Sequence, residues 1–250
     1  MLLKWKDLPP EFQNDHVKKY YDILRHKTAS LFFKRMFDIA VSAALIIVLS
    51  PLLLVISVII KLDSKGPVFF RQTRITQYNR EFRIFKFRTM FENDGSGAQI
   101  TVKGDERITR AGRFLRRFRL DETAQLFDVF RGKMTFVGTR PEVAKYIEKY
   151  TPEMMATLLL PAGITSLASI YFKDEDSILS ESSDIESAYV DRVLPKKMYY
   201  NLKAIENFGL FEEIKIMIMT VLAVLGKNYT DNYNEAADES EERTVAAYKQ

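Results

Sequence analysis

Asp121 and Glu122 are the side chains of this sequence best set for chemistry. They stand directly behind five arginines spread over ten positions, Arg110, Arg113, Arg116, Arg117 and Arg119. A carboxylate in so dense a cationic field is held ionised, and a helix starting at Asp121 would add the positive end of its dipole. An ionised Asp121 can act as a nucleophile or as a metal ligand at neutral pH. Taken alone, simple N-capping is the commoner reason for an Asp at a helix start. The cations available to hold an anion nearby are Lys86, Arg88, Arg116 and Arg140. Arginine presents a planar fork that matches two phosphate oxygens at once. For most of the other basic residues a lipid-facing surface is explanation enough.

Composition removes competing chemistries. The chain has 250 residues and no Cys, which excludes disulfides and thiolate metal sites. The two histidines, His16 and His26, both lie near the N-terminus, so histidine catalysis and multi-histidine metal sites are not expected. No Walker or Rossmann glycine pattern occurs; Gly95-Ser96-Gly97, Gly104 and Gly112 lack the required context. The net charge of +4 conceals an asymmetry: residues 61–119 hold 15 Lys/Arg against 6 Asp/Glu. Residues 174–191 hold 7 acidic residues and no Lys or Arg, and the last twenty residues hold 6 acids and 2 bases. The basic block calls for an anionic partner: phosphate groups, anionic lipid or nucleic acid.

The element that must bring this site to its partner is the run Ile39–Ile60, 22 residues without a charge. As a straight helix it would be about 33 Å long, enough to cross a bilayer core. Ser50-Pro51 lies at its middle, and Pro51 removes a backbone donor and predicts a bend. Five Lys/Arg flank it within residues 19–38 and five more within 61–80. A bent hairpin entering and leaving on one face keeps both basic flanks in the cytoplasm. A Pro-kinked spanning helix is the alternative, and the flanks lean only slightly against it.

Around this run, Phe12–Leu31 reads as a surface helix, and no cleaved leader is expected. Val68–Phe70 and Phe82–Phe87 have strand character. Phe82, Ile84 and either Phe85 or Phe87 are expected on one side, with Arg83, Lys86 and Arg88 on the other. Glu92–Gly104 reads as a flexible loop. Arg110–Leu120 is basic and amphipathic, suited to an anionic membrane surface. A helix is expected from about Asp121 to Phe130, stopped at Gly132. Thr139-Arg140-Pro141 reads as a turn, with a helix from Pro141 to about Tyr150 and a loop at Pro161-Ala162-Gly163. Residues 174–186 read as an acidic, Ser-rich loop. Ile216–Leu225 is too short to span and reads as an interfacial or packed helix.

Several blocks occur in order: Phe33-Lys34-Arg35-Met36-Phe37-Asp38, the apolar run with Ser50-Pro51, and Gly66-Pro67-Val68-Phe69-Phe70-Arg71-Gln72-Thr73-Arg74. Phe85-Lys86-Phe87-Arg88-Thr89-Met90, Leu120-Asp121-Glu122 with Gln125-Leu126-Phe127-Asp128-Val129, and Phe136-Val137-Gly138-Thr139-Arg140-Pro141-Glu142 follow. Over about residues 32–172 the chain thereby resembles the bacterial sugar transferase family, the monotopic phosphoglycosyl transferases. The resemblance implies a re-entrant helix broken at Ser50-Pro51 and a catalytic pair at Asp121 and Glu122. It implies that Asp121 attacks the sugar-bearing phosphate of a UDP-sugar, releasing UMP, and that polyprenyl phosphate then takes the phosphosugar. It also implies a Mg²⁺ beside Asp121 and a phosphate site at Lys86, Arg88, Arg116, Arg140 and Pro141. Such a transfer is the first membrane step of assembling an exopolysaccharide, capsule, O-antigen or glycoprotein glycan. The family's Gly-Pro-Arg-Pro is Gly138-Thr139-Arg140-Pro141 here. Its Arg-Pro-Gly-Ile-Thr-Gly-Trp-Ala-Gln is Leu160-Pro161-Ala162-Gly163-Ile164-Thr165-Ser166-Leu167-Ala168-Ser169. The sugar is therefore not specified by the resemblance.

The expected fold class is α+β, mainly helical: a re-entrant membrane helix hairpin, interfacial amphipathic helices and a small sheet at the cytoplasmic face. Residues 1–34 form an N-terminal extension, 35–62 the re-entrant helix, 63–227 the cytoplasmic catalytic domain and 228–250 a disordered polar tail. The expected partners are a UDP-sugar, polyprenyl phosphate and the bacterial inner membrane, with a second copy or downstream glycosyltransferases as further candidates. A non-catalytic adaptor that binds anionic lipid or an assembly partner through its basic face is the competing reading. Nucleic acid is not expected, because no recognised binding module accompanies the basic block.

Overall fold

Asn14 starts the first helix: its Oδ1 accepts from the Val17 N–H at 3.0 Å, satisfying a donor that the first turn would leave free. The structure, a computed structural model, describes residues 2–91, 106–172 and 184–229. The expected loop Glu92–Gly104, most of the acidic segment 174–186 and nearly all of the tail after 228 lie outside the described residues.

Helix α1 (Asp15–Arg25) turns Val17, Tyr20, Tyr21 and Leu24 inward at helical spacing. The segment expected as a surface helix therefore supplies core. Phe12, Val17 and Leu24 are fully covered and share one cluster with Leu159, Ile205 and Phe208. The extended start of the chain is tied in as well, since the Leu3 N–H donates to the Tyr78 hydroxyl at 2.8 Å.

Helix α2 (Thr28–Asp63) is continuous over 36 residues and contains Pro51. Proline leaves the Ile47 carbonyl without its usual donor. The Ser50 hydroxyl fills that gap, donating to Ile47 O at 2.8 Å. One stripe of α2, Lys34, Asp38, Ser42, Leu53, Ile56 and Ile60, is buried, while Ile47, Val48, Leu54 and Val55 are exposed. The helix is not interrupted at Pro51, and its two halves rest on the same body. In the first arm, Asp38 accepts from the Thr135 hydroxyl at 2.7 Å, and Arg35 donates to the Val129 and Phe130 carbonyls. In the second, Leu53, Ile56 and Ile60 pack with Phe87, Leu115 and Ala124.

Strands β1 (Phe69–Thr76) and β2 (Arg80–Phe87) form an antiparallel hairpin. Its turn places Tyr78 and Asn79 at φ 58°. Left-handed tyrosine is costly, and here burial of the ring against Phe12 holds it. Strict alternation puts Lys86 on the side of Phe82 and Ile84, not opposite them as the sequence reading expected. The other side carries Phe85 and Phe87, which pack on Phe69.

Helix α3 (Arg110–Arg117), a 3-10 turn (Leu120–Gln125) and helix α4 (Leu126–Phe130) follow. The single helix expected from Asp121 is thus a tighter turn running into a short helix. Gly132, at φ 75°, ends it as expected. Strands β3 (Met134–Val137) and β4 (Ala162–Thr165) pair in parallel, so the expected loop at Pro161–Gly163 enters a strand. The helix expected from Pro141 to Tyr150 shrinks to α5 (Ala144–Ile147). Helices α6 (Leu167–Tyr171) and α7 (Ile185–Ala188), a π turn (Tyr189–Val193), α8 (Leu194–Glu206) and α9 (Leu210–Val224) complete the described chain. Helix α9 buries Ile216 and Ala223 and exposes Phe211, Ile218, Val221 and Val224. Among the described residues the architecture is mainly helical, with two small two-stranded sheets and one long apolar helix near the N-terminus.

Candidate active site

Arg119 makes the site possible by leaving the helical region. Its φ of 56° turns the chain sharply between α3 and the 3-10 turn, so that Asp121 and Glu122 leave the arginine face. A non-glycine residue there is strained by roughly 1–2 kcal/mol, and such strain concentrates at functional sites.

Glu122 is clamped. Arg140 donates to both of its oxygens, at 2.6 Å to Oε1 and 3.3 Å to Oε2, and Lys86 donates to Oε1 at 3.1 Å. Lys86 comes from β2, Arg140 from the loop after β3 and Glu122 from the 3-10 turn, so three elements meet at one carboxylate. Burial pushes the Glu122 carboxyl up, but Arg140 and Lys86 outweigh it and hold the group well below the usual range. Burial lowers Lys86, with Glu122 opposing that shift and Arg140 adding to it.

Asp121 behaves differently. Burial, with Glu122 adding to it, raises its pKa above the ordinary value, and Lys86, Arg116 and Arg119 only partly offset this. The sequence reading had the arginine field and a helix dipole holding Asp121 low; desolvation wins instead. Among the described residues no donor lies within bonding distance of the Asp121 carboxylate. The pair therefore divides into one fixed carboxylate and one free, more basic one.

The other expected site residues separate. Arg116 lies within electrostatic range of Asp121. Pro141 turns its carbonyl to Arg74, whose Nη1 donates to it at 3.2 Å. Arg88 is not at the pair: its guanidinium is buried and donates to the Ser64 and Lys65 carbonyls at 2.7 and 2.8 Å, closing the end of α2. Arg74 was missed. It stands in β1 beside the site, and the alternation that faces it inward becomes readable only once the strand is known to extend to Thr76.

The backbone that carries Arg140 is fixed by two glycines. The Gly138 N–H donates to Thr165 O at 2.9 Å, and the Gly163 N–H to Thr139 O at 2.8 Å. A Cβ on Gly163 would lie 2.2 Å from the Gly138 nitrogen, so the approach requires glycine.

Among the described residues no group of three or more Asp, Glu or His gathers to hold a metal. Magnesium commonly takes one or two carboxylates and completes its shell with substrate phosphate and water. The Asp121 carboxylate, free of a bonded donor, fits that requirement.

Fold and site together define an α+β protein with a long apolar helix and a carboxylate pair of which Glu122 is clamped by two cations and Asp121 is without a bonded donor among the described residues. A family profile described as bacterial sugar transferase matches residues 29–227, and the chain belongs to that family. It is 34% identical over 198 residues to the UDP-N-acetylgalactosamine-undecaprenyl-phosphate N-acetylgalactosaminephosphotransferase of Aeromonas hydrophila, covering 78% of this chain and 44% of that protein. It is 36% identical over 197 residues to the UDP-glucose:undecaprenyl-phosphate glucose-1-phosphate transferase of Klebsiella pneumoniae, covering 77% of this chain and 40% of that protein. The chain thus spans less than half the length of either. The exopolysaccharide production protein PSS of Rhizobium leguminosarum bv. phaseoli is 35% identical over 209 residues, which cover 80% of this chain and 99% of that protein.

Proposed function

We propose that this protein moves a sugar 1-phosphate from a UDP-sugar to polyprenyl (undecaprenyl) phosphate, releasing UMP. The observation that carries the reading is the divided carboxylate pair: Asp121 free, Glu122 clamped by Lys86 and Arg140. An Asp121 oxygen forms a bond to the phosphorus that bears the sugar. The bond from that phosphorus to the bridging oxygen breaks, and its electron pair leaves with UMP. A phosphate oxygen of the lipid then attacks the same phosphorus and frees the aspartate. Splitting the transfer this way is nucleophilic catalysis, and the phosphoryl steps demand positioning and charge neutralisation above all. Glu122 supplies the positioning by holding Lys86 and Arg140 at the phosphate; Arg116 adds charge on the Asp121 side. A bound Mg²⁺ would supply further neutralisation of the phosphate oxygens. The names of the relatives favour UDP-sugar and undecaprenyl phosphate as substrates.

The exposed apolar side of α2 is proposed to enter the cytoplasmic face of the inner membrane and return, with Ser50 and Pro51 at the deepest point. Residues 63–227 would then form the catalytic domain beneath it. This reading rests on the two arms of α2 that contact one body.

The test is UMP release from a panel of UDP-sugars with polyprenyl phosphate and Mg²⁺. Wild-type protein is expected to release UMP, and Asp121→Asn to lose release while keeping its membrane association. Normal turnover by Asp121→Asn would refute the covalent step. Lipid binding without UMP release from any donor would favour the adaptor.

A further inference from the structure

Among the described residues, the hydrogen-bond partners of Arg74 are all neutral. Its Nε and Nη2 donate to Gln72 Oε1 at 3.1 and 2.8 Å, and its Nη1 to Pro141 O at 3.2 Å. Among the described residues no carboxylate lies within ion-pair distance of it. Burial lowers its pKa; Glu142, the strongest charge acting on it, opposes that shift, Arg140 adds to it by repulsion and Glu122 opposes it more weakly. A partly buried guanidinium without a counter-ion is costly, yet this one is held firmly from three points. Two N–H groups of its fork remain for a ligand.

Its place relative to the nucleophile is informative. Asp121 is in the field of Lys86, Arg116 and Arg119, whereas Arg74 is in the field of Arg140, Glu122 and Glu142. Glu122, the chain neighbour of Asp121, is clamped by Arg140, and Arg74 holds the carbonyl of Pro141, the residue after Arg140. Bonded contacts therefore lead from the neighbour of Asp121 through Arg140 and Pro141 to Arg74. In an in-line displacement the leaving group departs opposite the attacking oxygen.

We infer that Arg74 binds the phosphate of the departing nucleotide, with Gln72 as its positioning residue. The inference rests on the transfer reading above. When the Asp121–phosphorus bond forms and the bridging P–O bond breaks, the electron pair settles on the oxygen that leaves with UMP. The charge that develops there meets the free half of the Arg74 fork, so the interaction strengthens as the bond breaks. The structure offers a competing explanation, in which Arg74 only ties β1 to the Pro141 loop. The neighbouring Ile75 N–H, which donates to Glu142 O at 2.8 Å, makes such a tie already.

The experiment measures UMP affinity directly by calorimetry on detergent-solubilised full-length protein, alongside UMP release. Arg74→Lys keeps a cation and loses the fork. Gln72→Glu supplies Arg74 with an internal carboxylate and so removes it from the ligand without removing the arginine. Both variants are expected to weaken UMP by on the order of tenfold or more, with an unchanged KM for polyprenyl phosphate and a melting temperature near wild type. Wild-type UMP affinity in either folded variant would overturn the inference. So would failure of the wild-type protein to bind UMP, or a variant that raises only the KM for the lipid. If wild type releases no UMP from any donor, the transfer reading falls, and the UMP affinities still decide the role of Arg74.

Discussion

Two neighbouring carboxylates, Asp121 and Glu122, are driven in opposite directions by their surroundings, and their effects on stability follow. Asp121 titrates higher in the folded chain than in the unfolded one. Its contribution favours folding at low pH and is lost as pH rises through the folded pKa. Asp121→Asn removes that loss, so at neutral pH it should raise the melting temperature while activity disappears. The gain should vanish in melts run below the ordinary aspartate pKa of about 3.9. Glu122 has the reverse sign: its stabilisation is present above the ordinary glutamate pKa and is lost as pH falls through the depressed folded value. Glu122→Gln leaves Lys86 and Arg140 without their anion and should cost about 3–5 kcal/mol at neutral pH, read by denaturant melts. Equal shifts in both variants would show that the pair is not divided. The dyad, Lys86 and Arg140 were legible in the sequence because they sit in recognisable blocks. The raised Asp121 was not, because desolvation depends on neighbours from three elements. Arg88 was misplaced for the same reason: nothing in its own block says that the end of α2 needs a donor.

Strands β3 and β4 decide where Arg140 stands, and they were the least legible elements. Each is only four residues long, too short to show a period, and parallel pairing leaves no hairpin turn to read. The β1–β2 hairpin was half visible through its aromatics, but its turn hid because Tyr78 adopts a left-handed conformation that sequence rules reserve for Gly and Asn. Helix α2 was legible over Ile39–Ile60, since an uncharged run of that length has few other readings, but not over its first turns from Thr28, which the sequence divides between the expected surface helix Phe12–Leu31 and a charged flank. Gly163→Ala tests the parallel pair. The new Cβ meets Gly138 backbone at 2.2 and 2.3 Å, and backbone cannot swing aside as a side chain can. A loss of about 1–3 kcal/mol or more is expected, together with weaker donor binding as Arg140 shifts. Gly209→Ala is the control: its nearest neighbour would be 3.9 Å away, so its melt should stay within about 0.5 kcal/mol of wild type. Equal melts for the two variants would deny the close approach a role in holding the site.

The whole molecule constrains how α2 can meet a bilayer. Residues before α2 and residues far beyond it share one core: Phe12, Val17 and Leu24 pack with Leu159, Ile205 and Phe208. A spanning α2 would separate these groups by a hydrocarbon layer about 30 Å thick and expose both halves of the cluster to water. Removing one such large buried side chain costs about 3–5 kcal/mol, and separating the two halves of the cluster would uncover several of them at once. The basic flanks of the apolar run point the same way, but the core contact is far stronger than the charge bias that the sequence alone offered. Since the chain has no native Cys, Lys4→Cys and Lys227→Cys can each be labelled singly in sealed inner-membrane vesicles with a membrane-impermeant maleimide. Both positions are exposed, one before α2 and one after α9. In right-side-out vesicles both should be protected until the membrane is permeabilised, and in inverted vesicles both should label at once. Labelling of one position from each side would make α2 a spanning helix and would require the shared core to come apart. Phe12→Ala then serves as the companion measurement. It should lower the melting temperature without changing which side either cysteine labels, because topology is set by α2 and stability by the cluster that closes behind it.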